Sequence, residues 1–395
     1  MRNILVAVLF SLLLYGCNES VNPNDPVNSY KPIWPMPGYN ARNTSSPYSL
    51  SAVINPVSNG IPDWSFTFPS GNLSDGSQFC VDSRGFIYFL HQINPSGALY
   101  KFSPDGNVVW KRDSLNQWNF AAISLSRDES QIYFVAFKQG TMDRLYCYDS
   151  TGKYMWYKDS ALVTKPAIGK DGNVYSFHMN GLTAYSKDGN ILWTNTSVKG
   201  NYGHNYIALD MEDNIYTVNN PDKYVKVSKQ GIVKWEYSAG NNFSGIVIDG
   251  FGNIYFNSYA DDKLFCLNNS GQLKWTKQSV YAYFSPVITS GNRILVSQGG
   301  YVISYDTSGS ELWRCQPFTN LGNAEGLLLD DADNAYYIGD GGSSGIYAGC
   351  ISSGGVKKWE VNSGIYSFTL PPPVLLPQGK ILISPKRAFK IQAVN

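Results

Sequence analysis

Residues 184–193, with the sequence AYSKDGNILW, contain the pattern that decides the fold: an apolar strand, a turn at Gly189, and Trp193 four residues after the glycine. A polar residue followed by glycine favours a tight hairpin turn, because glycine accepts the positive φ that such turns need. The same Gly-x3-Trp spacing occurs eight times. The pairs are Gly60 and Trp64, Gly106 and Trp110, Gly152 and Trp156, Gly189 and Trp193, Gly231 and Trp235, Gly271 and Trp275, Gly309 and Trp313, and Gly355 and Trp359.

Successive tryptophans of this pattern are 37 to 46 residues apart, with a mean of about 42. About twenty residues after each tryptophan comes a short apolar pair such as Ile215-Tyr216, and a third strand leads into each glycine turn. Four short strands per repeat, without helical periodicity, predict a β-propeller. The fold class is therefore all-β, with eight four-stranded blades.

The last predicted blade ends after three strands, in Phe389-Lys390-Ile391-Gln392-Ala393. Its missing outer strand is at the other end of the chain, around Gly60 to Phe68, with Trp64. We therefore expect the N-terminal strand to complete the last blade and to close the ring, which pairs edges that an open array would expose.

The first residues form an apolar stretch from Ile4 to Tyr15, too short for a permanent membrane span and typical of a secretory signal. It ends in Leu14-Tyr15-Gly16-Cys17, which resembles the lipobox of bacterial lipoproteins. That resemblance implies cleavage before Cys17 and lipidation of its thiol; the alternative is a plain secretory signal with a chance cysteine. The predicted organisation is a signal peptide at 1–16, the lipidated cysteine with a flexible tether and entry segment at 17–59, and the propeller at 60–395.

The repeat resembles the propeller repeats named after pyrroloquinoline-quinone (PQQ) enzymes, and the segment Trp34-Pro35-Met36-Pro37-Gly38 is similar to their entry segment. The resemblance implies that each repeat tryptophan docks on the neighbouring blade, where its N–H can reach a backbone carbonyl. In its repeat type, lipobox, blade number and length, the chain is similar to the propeller lipoproteins of the outer-membrane β-barrel assembly machinery. This implies an envelope location, at the outer membrane.

The sequence predicts no enzyme, no cofactor and no metal site. The chain has no Cys-Cys dipeptide of the kind that covers the quinone in the dehydrogenases. Cys147, Cys266 and Cys350 fall at the same position in separated blades, so we expect buried thiols rather than disulfides. The histidines His91, His178 and His204 have no zinc-ligand spacing and are expected in loops. Acidic segments such as Asp330–Asn334 are interpreted as turns before the second strand rather than calcium loops.

The candidate binding residues lie in loops on one rim of the predicted propeller. These loops connect the fourth strand of a blade with the next blade, and the second strand with the third; we call this end the loop rim. Aromatic residues there lie outside the structural positions of the repeat and suit protein or glycan contact. They are Trp118, Tyr202, His204, Phe243, Tyr283 and Phe284. The alternative for Trp118 is inward packing between blades 1 and 2.

Charge and composition narrow the class of partner. Lys plus Arg is 31 and Asp plus Glu is 30, which argues against nucleic acid. We therefore expect a membrane contact through the lipid and a protein partner. The leading hypothesis is a non-catalytic envelope scaffold in outer-membrane protein assembly. The alternatives are a cell-surface glycan- or peptide-binding propeller and an envelope enzyme with a site at the channel mouth.

Overall fold

The computed structural model describes residues 62–67, 79–93, 96–113, 115, 119–137, 143–162, 164–200, 206–219, 221, 223–239, 245–258, 260–279, 285–317, 324–330, 332–340, 346–362, 374–375, 381–383 and 390–394. All of them belong to the compact unit Lys31–Asn395. This part of the chain consists of strands and turns without a helix, so it holds none that is long and apolar enough to cross a bilayer. The predicted boundaries at residues 16/17 and 59/60 lie outside these ranges.

The strands form repeated antiparallel units of four, which we number as blades 1 to 7. In chain order the strands are β1 (Pro62–Thr67); β2 (Phe79–Val81), β3 (Ile87–Ile93), β4 (Ser96–Phe102) and β5 (Val108–Arg112) in blade 1; β6 (Asn119–Leu125), β7 (Gln131–Phe137), β8 (Asp143–Asp149) and β9 (Tyr154–Ala161) in blade 2; β10 (Ala167–Ile168), β11 (Val174–His178), β12 (Gly181–Tyr185) and β13 (Ile191–Asn195) in blade 3; β14 (Ile207–Leu209), β15 (Ile215–Asn219), β16 (Lys223–Val227) and β17 (Val233–Ser238) in blade 4; β18 (Val247–Ile248), β19 (Ile254–Ser258), β20 (Lys263–Leu267) and β21 (Leu273–Gln278) in blade 5; β22 (Val287–Ile288), β23 (Ile294–Gln298), β24 (Tyr301–Tyr305) and β25 (Glu311–Cys315) in blade 6; β26 (Ala324–Leu329), β27 (Ala335–Asp340), β28 (Ile346–Ile351) and β29 (Lys357–Asn362) in blade 7; and β30 (Val374–Leu375), β31 (Ile381–Ile383) and β32 (Lys390–Val394).

Within each blade, every strand pairs with the next strand along the chain. Blades 2 and 3 share one eight-stranded sheet, because β9 pairs with β11 at Ala161 and His178. A further four-stranded sheet has the order β1-β32-β31-β30, with Pro62 opposite Val394 and Thr67 opposite Lys390. The all-β prediction is confirmed, and the seven four-stranded blades are consistent with a β-propeller.

The hydrophobic core lies between the faces of consecutive blades. Leu182 and Ala184 of blade 3 share a buried cluster with Val225 and Val227 of blade 4, and similar clusters join other neighbours. The first three strands of a blade are mostly buried, whereas outer strands such as β13 alternate between exposed and half-buried residues. Stacking of blades therefore supplies the apolar burial that a single four-stranded sheet could not provide.

The turn between the third and fourth strands has the geometry that the glycine pattern predicts. In blade 3, the Gly189 N–H donates to Ser186 O at 2.9 Å, and the Ser186 N–H donates to Asn190 O at 2.8 Å. Gly189 has φ +83°, and the register shifts between Ala184 and Tyr185. The glycine therefore forms a β-bulge at the end of a three-residue hairpin loop.

Candidate functional site

The repeat tryptophans form the contacts that join neighbouring blades. In seven of them the indole Nε1–H donates to the carbonyl two residues before the turn glycine of the following blade. The pairs are Trp64 with Pro104 O (3.0 Å), Trp110 with Ser150 O (3.3 Å), Trp156 with Lys187 O (3.0 Å), Trp193 with Lys229 O (2.9 Å), Trp235 with Asn269 O (2.9 Å), Trp275 with Thr307 O (3.0 Å) and Trp313 with Ser353 O (3.1 Å). The docking that the sequence resemblance implied is therefore present, and these residues are structural.

Trp359 carries the eighth indole of the series. Its Nε1–H is buried, and the described residues supply no acceptor for it. The turn that would correspond to the other seven contains Gly60, which lies outside these residues.

Acidic and amide side chains fix the turns between the first and second strands. Asp249 Oδ1 accepts the N–H groups of Phe251 and Asn253, while its Oδ2 accepts the Tyr255 hydroxyl at 2.8 Å. The same arrangement recurs at Asp82, Asp210 and Asp330. These carboxylates are therefore saturated by N–H and O–H donors. These segments form turns, as the sequence predicts, and the described ranges contain no cluster of three or more metal-ligating side chains.

The fourth position of these turns links one blade to the next. Seven consecutive turns place a residue with positive φ there, and in four of them it is a non-glycine residue, Glu129, Asp213, Asn292 or Asp333. The side chains accept backbone N–H groups from the preceding blade. The bonds run from Ser83 N to Glu129 Oε1 (2.6 Å), Lys170 N to Asp213 Oδ2 (3.1 Å), Gly250 N to Asn292 Oδ1 (2.7 Å) and Ser290 N to Asp333 Oδ1 (2.8 Å). Burial raises the pKa of Glu129 and of Asp213, and the donated bonds oppose that rise.

The cysteines of the described ranges are free thiols, as the sequence predicts. Cys147, Cys266 and Cys350 lie directly opposite the repeat tryptophans of their own blades. Burial raises the pKa of each of these three thiols to about 12. They are therefore small buried residues without nucleophilic character at neutral pH.

The loop position expected for His91 is wrong. His91 is fully buried inside β3, because that strand continues to Ile93 and pairs His91 with Ala98 of β4. Burial, together with the charge of Lys111, lowers its pKa to about 4. The loop position expected for His178 is wrong too, because it is the last residue of β11; its Nδ1 accepts the Asn180 N–H at 3.0 Å. Both imidazoles belong to the blade structure.

The predicted ligand-contacting and lipidated positions lie outside the described residues. These are Cys17 and the loop-rim residues Trp118, Tyr202, His204, Phe243, Tyr283 and Phe284. They remain predictions. The described part of the chain adds two exposed features that the sequence alone did not predict.

The first feature is a group of tyrosines on the outer strands of blade 2. Tyr154 and Tyr157 are exposed, with ring centroids 6.4 Å apart. The Arg144 guanidinium lies 4.4 Å from the Tyr157 ring centroid, and its Nε donates to Asp159 at 2.7 Å. In the other blades, the residue after the tryptophan is Lys111, Thr194, Glu236, Thr276, Arg314 or Glu360. Comparison of aligned repeat positions would have identified Tyr157 as unusual.

The second feature consists of apolar side chains at the opposite end of the blades. We call this end the turn rim: it is formed by the turns between first and second strands and between third and fourth strands. Phe251, Met211 and Ile232 belong to such turns in blades 4 and 5, and they are 72%, 59% and 60% exposed. They do not contribute to the core between blades.

Comparison with known proteins matches the chain to the family model described as outer membrane protein assembly factor BamB. It matches three overlapping segments, 95–243, 178–316 and 225–364. These segments span most of the repeats. No curated protein sequence matches the chain.

Among solved structures, the chain is similar to the crystal structure of BamB from Moraxella catarrhalis, with a TM-score of 0.61 at 12% identity, covering 84% of this chain and 98% of that one. It also matches selenomethionine-substituted virginiamycin B lyase from Staphylococcus aureus, with a TM-score of 0.49, 16% identity and coverage of 69% and 93%. A protein of unknown function from Bacteroides caccae matches with a TM-score of 0.37 at 16% identity, covering 58% of this chain and 93% of that one. The first match supports the propeller fold, and the other two are too weak to bear on the fold.

Proposed function

We propose that this chain, which belongs to the family described as outer membrane protein assembly factor BamB, is a lipid-anchored envelope protein that acts as a non-catalytic protein-interaction scaffold in outer-membrane protein assembly. The family match across residues 95–364 carries the proposal. The Leu14-Tyr15-Gly16-Cys17 stretch supports the anchor. Scaffolding fits the geometry, because the repeated tryptophans, turn aspartates and thiols serve the packing of the blades and leave the loops for partners.

The scaffold is an eight-bladed ring in this proposal. The sheet that pairs β1 with β32 supports it, since the two strands come from opposite ends of the chain. Trp64 of β1 also bonds to Pro104 O of blade 1, as six of the other repeat tryptophans bond to their following blades. A ring completed in this way has no exposed sheet edge between its first and last blades, which favours a rigid platform.

The partner-binding face of the scaffold is the loop rim with Trp118, Tyr202, His204, Phe243, Tyr283 and Phe284. Aromatic side chains at these positions would bury a large area against a protein partner with little loss of side-chain entropy. None of them belongs to the Gly-x3-Trp pattern that joins the blades.

Affinity purification of the full lipidated chain from its native membrane tests the proposal. We expect components of the outer-membrane barrel-assembly machinery to co-purify, and Trp118→Ala and Phe243→Ala to reduce their recovery without lowering the unfolding midpoint. Leu273→Ala, on the exposed outer strand of blade 5, is the matched control. The Cys17→Ala chain should be lost from the membrane fraction. A folded, lipidated chain that recovers no such component would refute the assembly role.

A second candidate function is glycan or peptide binding at the cell surface, which the tyrosines of blade 2 favour. Tyr154 and Tyr157 offer exposed aromatic rings beside the fixed Arg144–Asp159 ion pair, a combination suited to a ligand with an apolar face and polar edges. Titration with oligosaccharide and peptide libraries tests this function. Binding that Tyr157→Thr removes, and that the corresponding Thr276→Ser of blade 5 retains, would favour it.

A further inference from the structure

The N-terminal chain reaches the blades at the turn rim. β1 begins at Pro62, which lies opposite Val394, and Val394 also lies opposite Ile381 at the start of β31. This is the end of the sheet where β30 turns into β31. Two residues further along, Trp64 bonds to Pro104 O in the third-to-fourth-strand turn of blade 1. The chain segment that follows Cys17 therefore joins β1 at this rim.

Forty-four residues, Asn18 to Ile61, separate that cysteine from β1. Even fully extended, such a segment reaches at most ~160 Å. An anchored domain is therefore held close to the bilayer at a high effective concentration, so a weak additional contact with lipid is sufficient to orient it.

Phe251, Met211 and Ile232 supply the apolar side chains for such a contact. They lie on the turn rim of two consecutive blades, and Phe251 is 72% exposed. The positions aligned with Phe251 in the other six turns are Arg84, Asp128, Asp171, Glu212, Gly291 and Ala332. Because the repeat is built with charged or small residues at this position, its own packing does not require the phenylalanine ring.

The backbone of these turns can approach lipid without leaving its polar groups unpaired. The Phe251 N–H donates to Asp249 Oδ1 at 2.9 Å, and the Gly250 N–H donates to Asn292 Oδ1 at 2.7 Å. In the neighbouring turn, Lys170 Nζ donates to Met211 O. A turn whose N–H groups are satisfied within the protein avoids most of the cost of entering a region that is poor in water.

Cations lie on the same rim as the apolar tips. Lys170 and Lys229 are exposed on turns of blades 3 and 4. Such side chains can cover apolar surface with their methylene groups while the ammonium contacts a headgroup. Their acidic neighbours Asp171 and Glu212 keep the local charge near zero, so the surface suits a bilayer without requiring strongly anionic lipid.

We propose that the turn rim of blades 4 and 5 docks on the bilayer that holds the Cys17 lipid, with Phe251 and Met211 inserted at the interface. The inference rests on the lipid anchor of the proposed function. It assigns the opposite, loop rim to the side that faces away from the membrane. The ligand of this site is a phospholipid surface.

Depth-dependent fluorescence quenching tests the docking. The lipidated Phe251→Trp chain is reconstituted in phosphatidylethanolamine/phosphatidylglycerol vesicles that contain dibrominated phosphatidylcholine. The signal is the difference in emission from the wild-type chain. We expect the bromines to quench the added indole by roughly half, because interfacial side chains lie ~5–10 Å deep. Met179→Trp, at an exposed position between the second and third strands of blade 3 and therefore on the loop rim, is the matched control and should not be quenched.

Two further measurements keep anchor and docking separate. The mass of the N-terminal peptide reports acylation of Cys17 in the same sample, so loss of the anchor is recognised independently. Replacing Met211 by Ser in the Phe251→Trp chain should weaken the quenching while acylation is unchanged. A fully acylated chain whose indole at position 251 is no more quenched than that of Met179→Trp refutes the docking. If the indole at position 251 becomes shielded from solvent only after a protein partner is added, the docking is also refuted, and the surface is assigned to that partner.

Discussion

Replacing Gly231 by Ala tests the contact that joins consecutive blades. Gly231 has φ +85°, and a Cβ placed there would lie 2.8 Å from Cδ2 of the Trp193 ring. The matched control is Gly172→Ala, because Gly172 has a similar φ of +78° but only Lys187 Cβ near it, at 3.9 Å. Both substitutions impose the left-handed backbone conformation on alanine, at about 1 kcal/mol, and both restrict the unfolded chain equally.

The difference between the two variants therefore reports the clash with the indole. Forcing a methyl group into a packed contact costs about 1–3 kcal/mol, so we expect Gly231→Ala to destabilise the protein by about 2 kcal/mol more than Gly172→Ala. Urea denaturation followed by far-UV circular dichroism measures this as a shift of the midpoint at constant slope.

A double variant identifies the source of the extra cost. In a Trp193→Leu background the indole is absent, so Gly231→Ala should cost no more than Gly172→Ala. Equal midpoints for the two single variants, or an extra cost that persists without Trp193, would refute the reasoning that Trp193 docking requires glycine at position 231.

Three further predictions concern closure, cofactor binding and pH. Trp64→Ala should cost about 3 kcal/mol, because it removes a half-buried indole and its 3.0 Å bond to Pro104 O; the exposed Ser65→Ala is the control, and an unchanged urea midpoint would show that the ring closes elsewhere. Calorimetric titration with PQQ and Ca²⁺ should show no saturable binding, and micromolar binding would contradict the absence of a cofactor. Stability should fall as the pH drops from about 6.5 to 4, since the pKa of His91 is about 4 in the folded chain and the unfolded chain takes up the proton first; His91→Gln should flatten this dependence, and an identical pH profile in the two proteins would contradict it.

The joints between blades could be predicted from the spacing of glycine and tryptophan, because one spacing determines both the bulged turn and the docking ring. The spacing does not reveal which acceptor each indole finds. The structure places that acceptor two residues before the next turn glycine, as in Trp193 and Lys229 O. Applied to the remaining indole, the rule predicts that Trp359 donates to Ser58 O, two residues before Gly60.

Other features depend on strand length and on side-chain exposure, which are difficult to predict from a single sequence. The sequence predicts a loop position for His91, because the apolar pair Ile87-Tyr88 marks only the beginning of β3 and not its end. Residue type alone does not distinguish Tyr157 and Phe251 from other aromatic residues in a chain with 14% aromatic content. Only their register within the blade shows that one lies on an outer strand and the other at a turn.

The repeat itself supplies the argument for separating structural from functional residues. Every blade packs on its neighbours in the same way. A position that carries the same residue in all blades, such as the repeat tryptophan, is therefore explained by the fold. A position where one blade departs, while its side chain stays exposed, is not explained in this way. Phe251, on the turn rim, meets both parts of this criterion. Trp118, on the loop rim, meets the first part, because it departs from the repeat pattern in sequence. Because the chain from Cys17 enters at the turn rim, the proposals for lipid and for a protein partner occupy opposite ends of the blades and do not compete for the same surface.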